Sequence, residues 1–125
     1  MQWDEFSEWG AKISQWAADY HTSLRERPVR AQTEPGDVAA LIAPSAPEGP
    51  HAMSEIMKDF ERVVMPGITH WQHPRFFAYF PANAAPPSML AEMLVSTIAA
   101  QCMLWQTSPA CLLYTSDAAD EEDSV

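Results

Sequence analysis

Lysine and glycine are the scarce residues of this 125-residue chain, which holds only Lys12, Lys58 and four isolated glycines. Without a clustered glycine run there is no phosphate-cradling loop. Neither lysine sits in the apolar sequence expected around a Schiff-base nucleophile. No Ser/His/Asp pattern and no paired-carboxylate signature appears, so local chemistry alone offers no catalytic machinery. Cysteine is nearly absent as well. Cys102 and Cys111 form no CxxC and no disulfide framework, which suits a reducing compartment and makes cytoplasm the default expectation. Basic charge is in deficit, with 7 Lys and Arg against 17 Asp and Glu for a net −10. That balance disfavours nucleic acid and anionic membrane surfaces as partners, because both are polyanions. No basic stretch followed by an apolar run opens the chain, so no secretory signal is visible.

What is present is apolar and organised. Phe6, Trp9, Ile13, Trp16 and Tyr20 recur at steps of three and four, which predicts an amphipathic helix from Trp3 to Leu24 with these residues on one core-facing stripe. Asp4, Glu5 and Glu8 favour its N-terminal end and Pro28 prevents its continuation. Residues 28–50 carry prolines at 28, 35, 44, 47 and 50 and read as extended or turn-rich chain around one apolar patch, Val38 to Ile42. A second helix is expected from Ser54, as N-cap, to Val64, with Ile56, Phe60, Val63 and Val64 on one side and Pro66-Gly67 beyond. A third is expected from Ser88 to Trp105, opened by Pro86-Pro87. It is apolar on nearly every face. A helix of that kind spans a membrane or is buried in a large protein or interface. Glu92 and Gln101 make a span costly, so more chain or a partner subunit should cover it.

Two constellations could carry function. His70 and His73 have the spacing of a metal-binding pair. They lie between Pro66-Gly67 and Pro74, however, and His21 and His51 supply no third ligand nearby, so both are expected to make hydrogen bonds within a loop and no metal is expected. The stretch Pro74 to Pro81 crowds Phe76, Phe77, Tyr79 and Phe80 between prolines, a composition able to wall an apolar or aromatic ligand pocket or simply to pack on a core.

Here the residues become recognisable. Met65-Pro-Gly-Ile-Thr-His-Trp71, His73-Pro74, Phe76-Phe-Ala-Tyr-Phe-Pro81, Met89-Leu-Ala-Glu-Met-Leu94 and Ser108-Pro-Ala110, in that order, closely resemble the N-terminal region of group II pyridoxal-phosphate decarboxylases, nearest to the bacterial aromatic-L-amino-acid (tyrosine, dopa, tryptophan) branch. The resemblance covers residues 1–110. It implies a cytoplasmic, homodimeric carboxy-lyase of fold-type I, which is α/β when complete and uses pyridoxal 5'-phosphate to decarboxylate aromatic L-amino acids. It further implies that residues 1–110 are an incomplete, mainly α domain of about three helices with Pro-rich linkers, lying across the partner subunit. By resemblance Trp71, Tyr79, Phe80, Pro81 and Ala82 bind substrate, with Ala82 standing where animal dopa decarboxylases have Thr. Gln101 and Met103 would reach into the partner's pocket. The lysine, carboxylate and stacking histidine that serve the cofactor lie, in the family, beyond the position of Ala110, so the chain is read as an inactive fragment.

After Ala110 the composition shifts. Residues 111–125 hold five acids and no base. The run from Cys111 reverse-translates without conflict to a transposon-end sequencing adapter, so 111–125 is expected to be a non-native tail. The alternative to the enzyme fragment is a small helical module that dimerises through residues 88–105 without catalysis.

Overall fold

A computed structural model describes residues 1–80 and 84–110. The expected tail, with Cys111, lies outside the described residues, as do Pro81 and Ala82. The described chain is helical, with no strand among the described residues, and divides into two units, Met1–Asn83 and Ala84–Val125.

In the first unit, helix α1 runs Trp3–Thr22. It starts because the Glu5 carboxylate turns back to accept the Gln2 backbone N–H at 2.8 Å, satisfying one orphan donor of the first turn. It ends two residues short of the expected Leu24. The hydroxyls of Thr22 and Ser23 and the Ser23 N–H all converge on the Asp19 carbonyl, and a 3₁₀ turn, Leu24–Glu26, follows. Only the C-terminal half of the aromatic stripe is seated. Trp16 stacks on Tyr20 at 5.4 Å, meets Phe60 edge-on at 5.2 Å and donates its indole N–H to Glu61 at 3.1 Å. Phe6 and Ile13, expected on the core face, are exposed.

The proline-rich segment is irregular, as expected, apart from one turn of helix, α2, Asp37–Ala40. Gly36 enters it with φ +101°, a left-handed conformation that glycine adopts without a Cβ clash. Helix α3 runs Met53–Asp59, and its N-cap is Ala52, not Ser54. The Glu55 carboxylate accepts the Ala52 N–H at 3.3 Å, which places Ser54 inside the first turn. Over Phe60–Val64 the helix widens to π geometry before tightening to 3₁₀ at Met65–Gly67. Pro66 has no N–H to give the carbonyl one α-turn earlier, so the ladder cannot continue unchanged. The widening turns Val63 inward and leaves Val64 exposed. Ile56 is exposed too, so the expected four-residue face does not form. Leu24 and Val63 are the buried hydrophobic residues among those described.

The second unit contains α4, Pro86–Ile98, with its two prolines in the first turn. Ser88 closes that turn from within, its hydroxyl donating to the Ala85 carbonyl at 2.8 Å and accepting the Ala85 N–H at 3.3 Å. The helix stops at Ile98, well short of the expected Trp105. Ala99 adopts a left-handed conformation with φ +50° and donates its N–H to the Val95 carbonyl. The Thr97 hydroxyl takes the Met93 carbonyl at 2.7 Å. No residue of α4 is buried. Among the described residues, no helix is long and apolar enough to cross a membrane.

Candidate functional site

The chain after Gly67 is steered by its two histidines. The His70 N–H donates to the Val29 carbonyl at 2.8 Å, pinning the segment to the strap that follows α1. The His73 N–H donates to the His70 carbonyl at 3.0 Å, and the Phe76 N–H to the His73 carbonyl at 2.9 Å, giving two successive tight turns. The His73 ring accepts the Arg75 N–H on Nδ1 at 3.0 Å. His70 and His73 are 4% and 3% exposed, the buried polar side chains of the described chain. As expected from the prolines around them, they make loop hydrogen bonds. Among the described residues, no group of three His, Cys, Asp or Glu gathers to hold a metal.

These turns bring Trp71 against two of the loop aromatics. Its indole stacks on Phe76 at 5.0 Å and on Tyr79 at 5.7 Å, with interplanar angles of 26° and 14°. Tyr79 has φ +55°, a conformation uncommon for a bulky residue and one that clusters at binding sites. Beyond the stack, Phe80 is 99% exposed and Phe77 91%. Large aromatics in that state normally meet a partner surface or a ligand. The expected site residues therefore divide. Trp71 and Tyr79 come together, and Phe80 follows them directly in the chain but stands clear. Pro81 and Ala82 lie outside the described residues. Gln101 and Met103 belong to the second unit, beyond the end of α4, and both are exposed.

The aromatic stack forms one wall, not an enclosed pocket. An open groove of about 370 Å³ has His70 in its lining but none of the stacked aromatics, with Arg27, Pro28, Met65, Pro66 and Ile68 among the others. Sequence reasoning missed a contact made by the residue just before Trp71. The Tyr20 hydroxyl lies 2.8 Å from His70 Nδ1 across fifty positions of sequence, and the Arg27 guanidinium sits 5.0 Å over the Tyr20 ring. Burial pushes the Tyr20 phenol up, against a smaller opposing pull from Arg27. Burial, then Arg27, then His73 hold His70 below the ordinary imidazole value. No local spacing in the sequence marks this pair.

The residues present do not fit a covalently held aldehyde cofactor. Lys12 is spent on an exposed ion pair with Glu8 at 2.6 Å, with Trp9 4.5 Å beneath it, and Lys58 is exposed on α3.

Comparison with known proteins places this geometry. Residues 35–116 match the pyridoxal-dependent decarboxylase conserved domain, a match that runs past Ala110. The chain is 43% identical over 107 residues to the aromatic-L-amino-acid decarboxylase of Rattus norvegicus, an alignment covering 86% of this chain and 22% of that protein. Its backbone superposes with a TM-score of 0.81 on tryptophan decarboxylase of Catharanthus roseus solved with L-tryptophan, at 33% identity over 88% of this chain and 24% of that one. It superposes with a TM-score of 0.82 on 4-hydroxyphenylacetaldehyde synthase of Rhodiola rosea, also at 33% identity, over 88% of this chain and 24% of that one. The chain thus spans about a fifth to a quarter of the length of these relatives. With the aromatic turn and the helices around it matched in both sequence and backbone, the chain belongs to the pyridoxal-dependent decarboxylase family.

Proposed function

We propose that this chain is the N-terminal, substrate-facing segment of an enzyme that decarboxylates aromatic L-amino acids to amines. The observation that carries the reading is the stacked Trp71–Phe76–Tyr79 wall with Phe80 standing free beside it. A planar ring presented to planar side chains selects planar substrates by area and stacking geometry. The names of the relatives, and L-tryptophan in one of their structures, support the same substrate class. In the complete enzyme pyridoxal 5'-phosphate supplies the electron sink for loss of the carboxyl group. Residues outside this chain would hold it, because neither lysine here is suitably placed. Trp71, Tyr79, Phe80, Pro81 and Ala82 then bind and orient the substrate ring and exclude water from it. Gln101 and Met103 complete the pocket of a partner subunit in a cytoplasmic homodimer. The uncovered apolar surface of α4 supports an assembly in which that helix is buried.

The test is Phe80→Ala in a complete enzyme carrying this segment, with kinetics and cofactor titration measured together. An apolar contact shared by ground and transition states changes KM more than kcat. The expected loss is on the order of 1–3 kcal/mol, the range for burying an aromatic side chain. Cofactor affinity should be unchanged. Collapse of cofactor binding at constant KM would show that the loop supports the fold and does not touch substrate.

A further inference from the structure

The bond between Tyr20 and His70 ties the C-terminal half of α1 to the turn that carries the aromatic wall. His70 is held at three points. Its ring meets Tyr20 at 2.8 Å, its N–H reaches Val29, and its carbonyl accepts from His73. Trp71 is the next residue, and its indole carries the stack on Phe76 and Tyr79. On the α1 side Tyr20 is equally constrained, sandwiched by contacts to Trp16 at 5.4 Å and Arg27 at 5.0 Å. Arg27 is in turn tethered to the Ser23 hydroxyl. We propose that Tyr20 and His70 are positioning residues for the aromatic wall, their hydrogen bond fixing the backbone at His70 and with it the orientation of Trp71 against Phe76 and Tyr79.

This deepens the substrate-wall reading and rests on it for its functional meaning, but the clamp has its own chemistry. We assign the Tyr20 hydroxyl as donor and His70 Nδ1 as acceptor, the tautomer with the His70 hydrogen on Nε2. Protonating His70 puts a hydrogen on Nδ1, so the Tyr20 hydrogen turns away and the pair keeps its contact only with a buried charge beside Arg27 and His73. The groups facing His70 are Tyr20, Arg27 and His73, with Glu61 across the groove already accepting the Trp16 indole N–H. His73 cannot relieve the charge, since its Nδ1 is occupied by the Arg75 N–H and its Nε2 is buried without a partner. His70 is thus held neutral by burial first, then by Arg27 and His73. A histidine whose folded value lies below its unfolded one contributes fully above about pH 6.5 and loses that contribution as the pH falls toward the folded value. The clamp loosens in acid.

Histidine C2–H deuterium exchange, read by mass spectrometry with fragmentation to separate His70 from His73, reports each imidazole on the 125-residue chain in any association state. Near-UV circular dichroism, corrected by a Trp71→Phe spectrum, isolates the ring stack. In the parent chain His70 should titrate below about 6.5 and exchange about tenfold more slowly than exposed His51. The Trp71 band should fade in acid with the His70 midpoint. Tyr20→Phe removes one oxygen, leaves burial, Arg27 and His73 to hold His70 below the ordinary imidazole value, and should weaken the band at neutral pH. His70→Gln, whose amide oxygen can accept from Tyr20 without titrating, should keep the band and abolish its acid loss. This second variant decides the matter even if Tyr20→Phe loses its helicity. An ordinary titration of His70 in the parent chain, a band indifferent to Tyr20→Phe, or a band that still fades in His70→Gln would each overturn the proposal. An unmoved KM in Phe80→Ala with these signals intact would remove the substrate reading and leave the clamp. A moved KM with these signals absent would do the reverse.

Discussion

Helices α1 and α4 answer the same problem in opposite ways. The stripe of α1 is aromatic but polar at its edges, and its lower half finds partners within its own unit: Phe60 and Glu61 for Trp16, His70 for Tyr20. Helix α4 has few such handles, since its Ser88 and Thr97 hydroxyls bond to its own backbone and Glu92 is exposed. Leu90, Leu94, Val95 and Ile98 are all exposed, and the unit that contains them buries none of the helix. An aromatic with an N–H or O–H docks by burying its ring and aiming its polar atom at one partner. A helix apolar on nearly every face has no one preferred partner and needs to be largely surrounded. A packed half and an uncovered half therefore coexist in one short chain.

The largest expected effect lies on the uncovered side. Complete burial of Met89, Leu90, Met93, Leu94, Val95 and Ile98 is worth about 1.5–3 kcal/mol each, so leaving them in water forgoes on the order of ten kcal/mol. The chain alone should self-associate in sedimentation velocity at micromolar concentration. Leu90→Asp combined with Leu94→Asp should return it toward monomer without loss of α1 helicity. A monodisperse monomer in the parent chain would mean that α4 is covered from within, and the contrast between the helices would collapse.

That contrast also separates what was legible in the sequence from what was not. The starts of α1 and α4 follow from carboxylates, prolines and three-four spacing. The end of α4 was misplaced because an unbroken apolar run carries no polar stop signal, while the actual stop is a left-handed Ala99, a conformation no alanine advertises. Ser54 looked like an N-cap, but the cap is formed by the Glu55 carboxylate reaching back to Ala52. The aromatic loop was visible from composition, and that Trp71 lies beside it only by resemblance. The Tyr20–His70 bond was invisible, because a contact between residues fifty positions apart leaves no local period.

A middle-sized effect tests how tightly the first unit is closed. A Cβ at Gly67 would lie 2.8 Å from Cγ2 of Val38, where α2 packs on the turn that follows the π-widened segment. Valine is stiff at χ1 and cannot swing aside cheaply. Gly67→Ala should cost about 1–3 kcal/mol, the usual range for overpacking. Adding Val38→Ala removes the colliding methyl and should recover most of that loss in a double-mutant cycle by urea denaturation. Equal costs with and without Val38 would mean that α2 is loosely held, and the packed half would be smaller than described.

The smallest effect should come from the outer face of α1. Lys12 pairs with Glu8 at 2.6 Å one turn earlier and lies 4.5 Å over the Trp9 ring, with both charged side chains more than half exposed. The Glu-before-Lys order across four residues suits the helix dipole, yet such exposed pairs are worth only about 0.3–0.5 kcal/mol and are screened by salt. The stacking of an exposed ammonium on indole adds about 0.5–1 kcal/mol at most. Lys12→Met keeps much of the apolar stem over Trp9 while removing the charge. It should therefore lower stability by a few tenths of a kcal/mol, and the difference from the parent chain should vanish in about 1 M salt, where the screening length is about 3 Å. A salt-independent loss above about 1 kcal/mol would exceed what an exposed pair can supply. It would mean that Trp9 is anchored as firmly as Trp16, and that the seated part of the α1 stripe begins a full turn or more earlier than Trp16 and Tyr20.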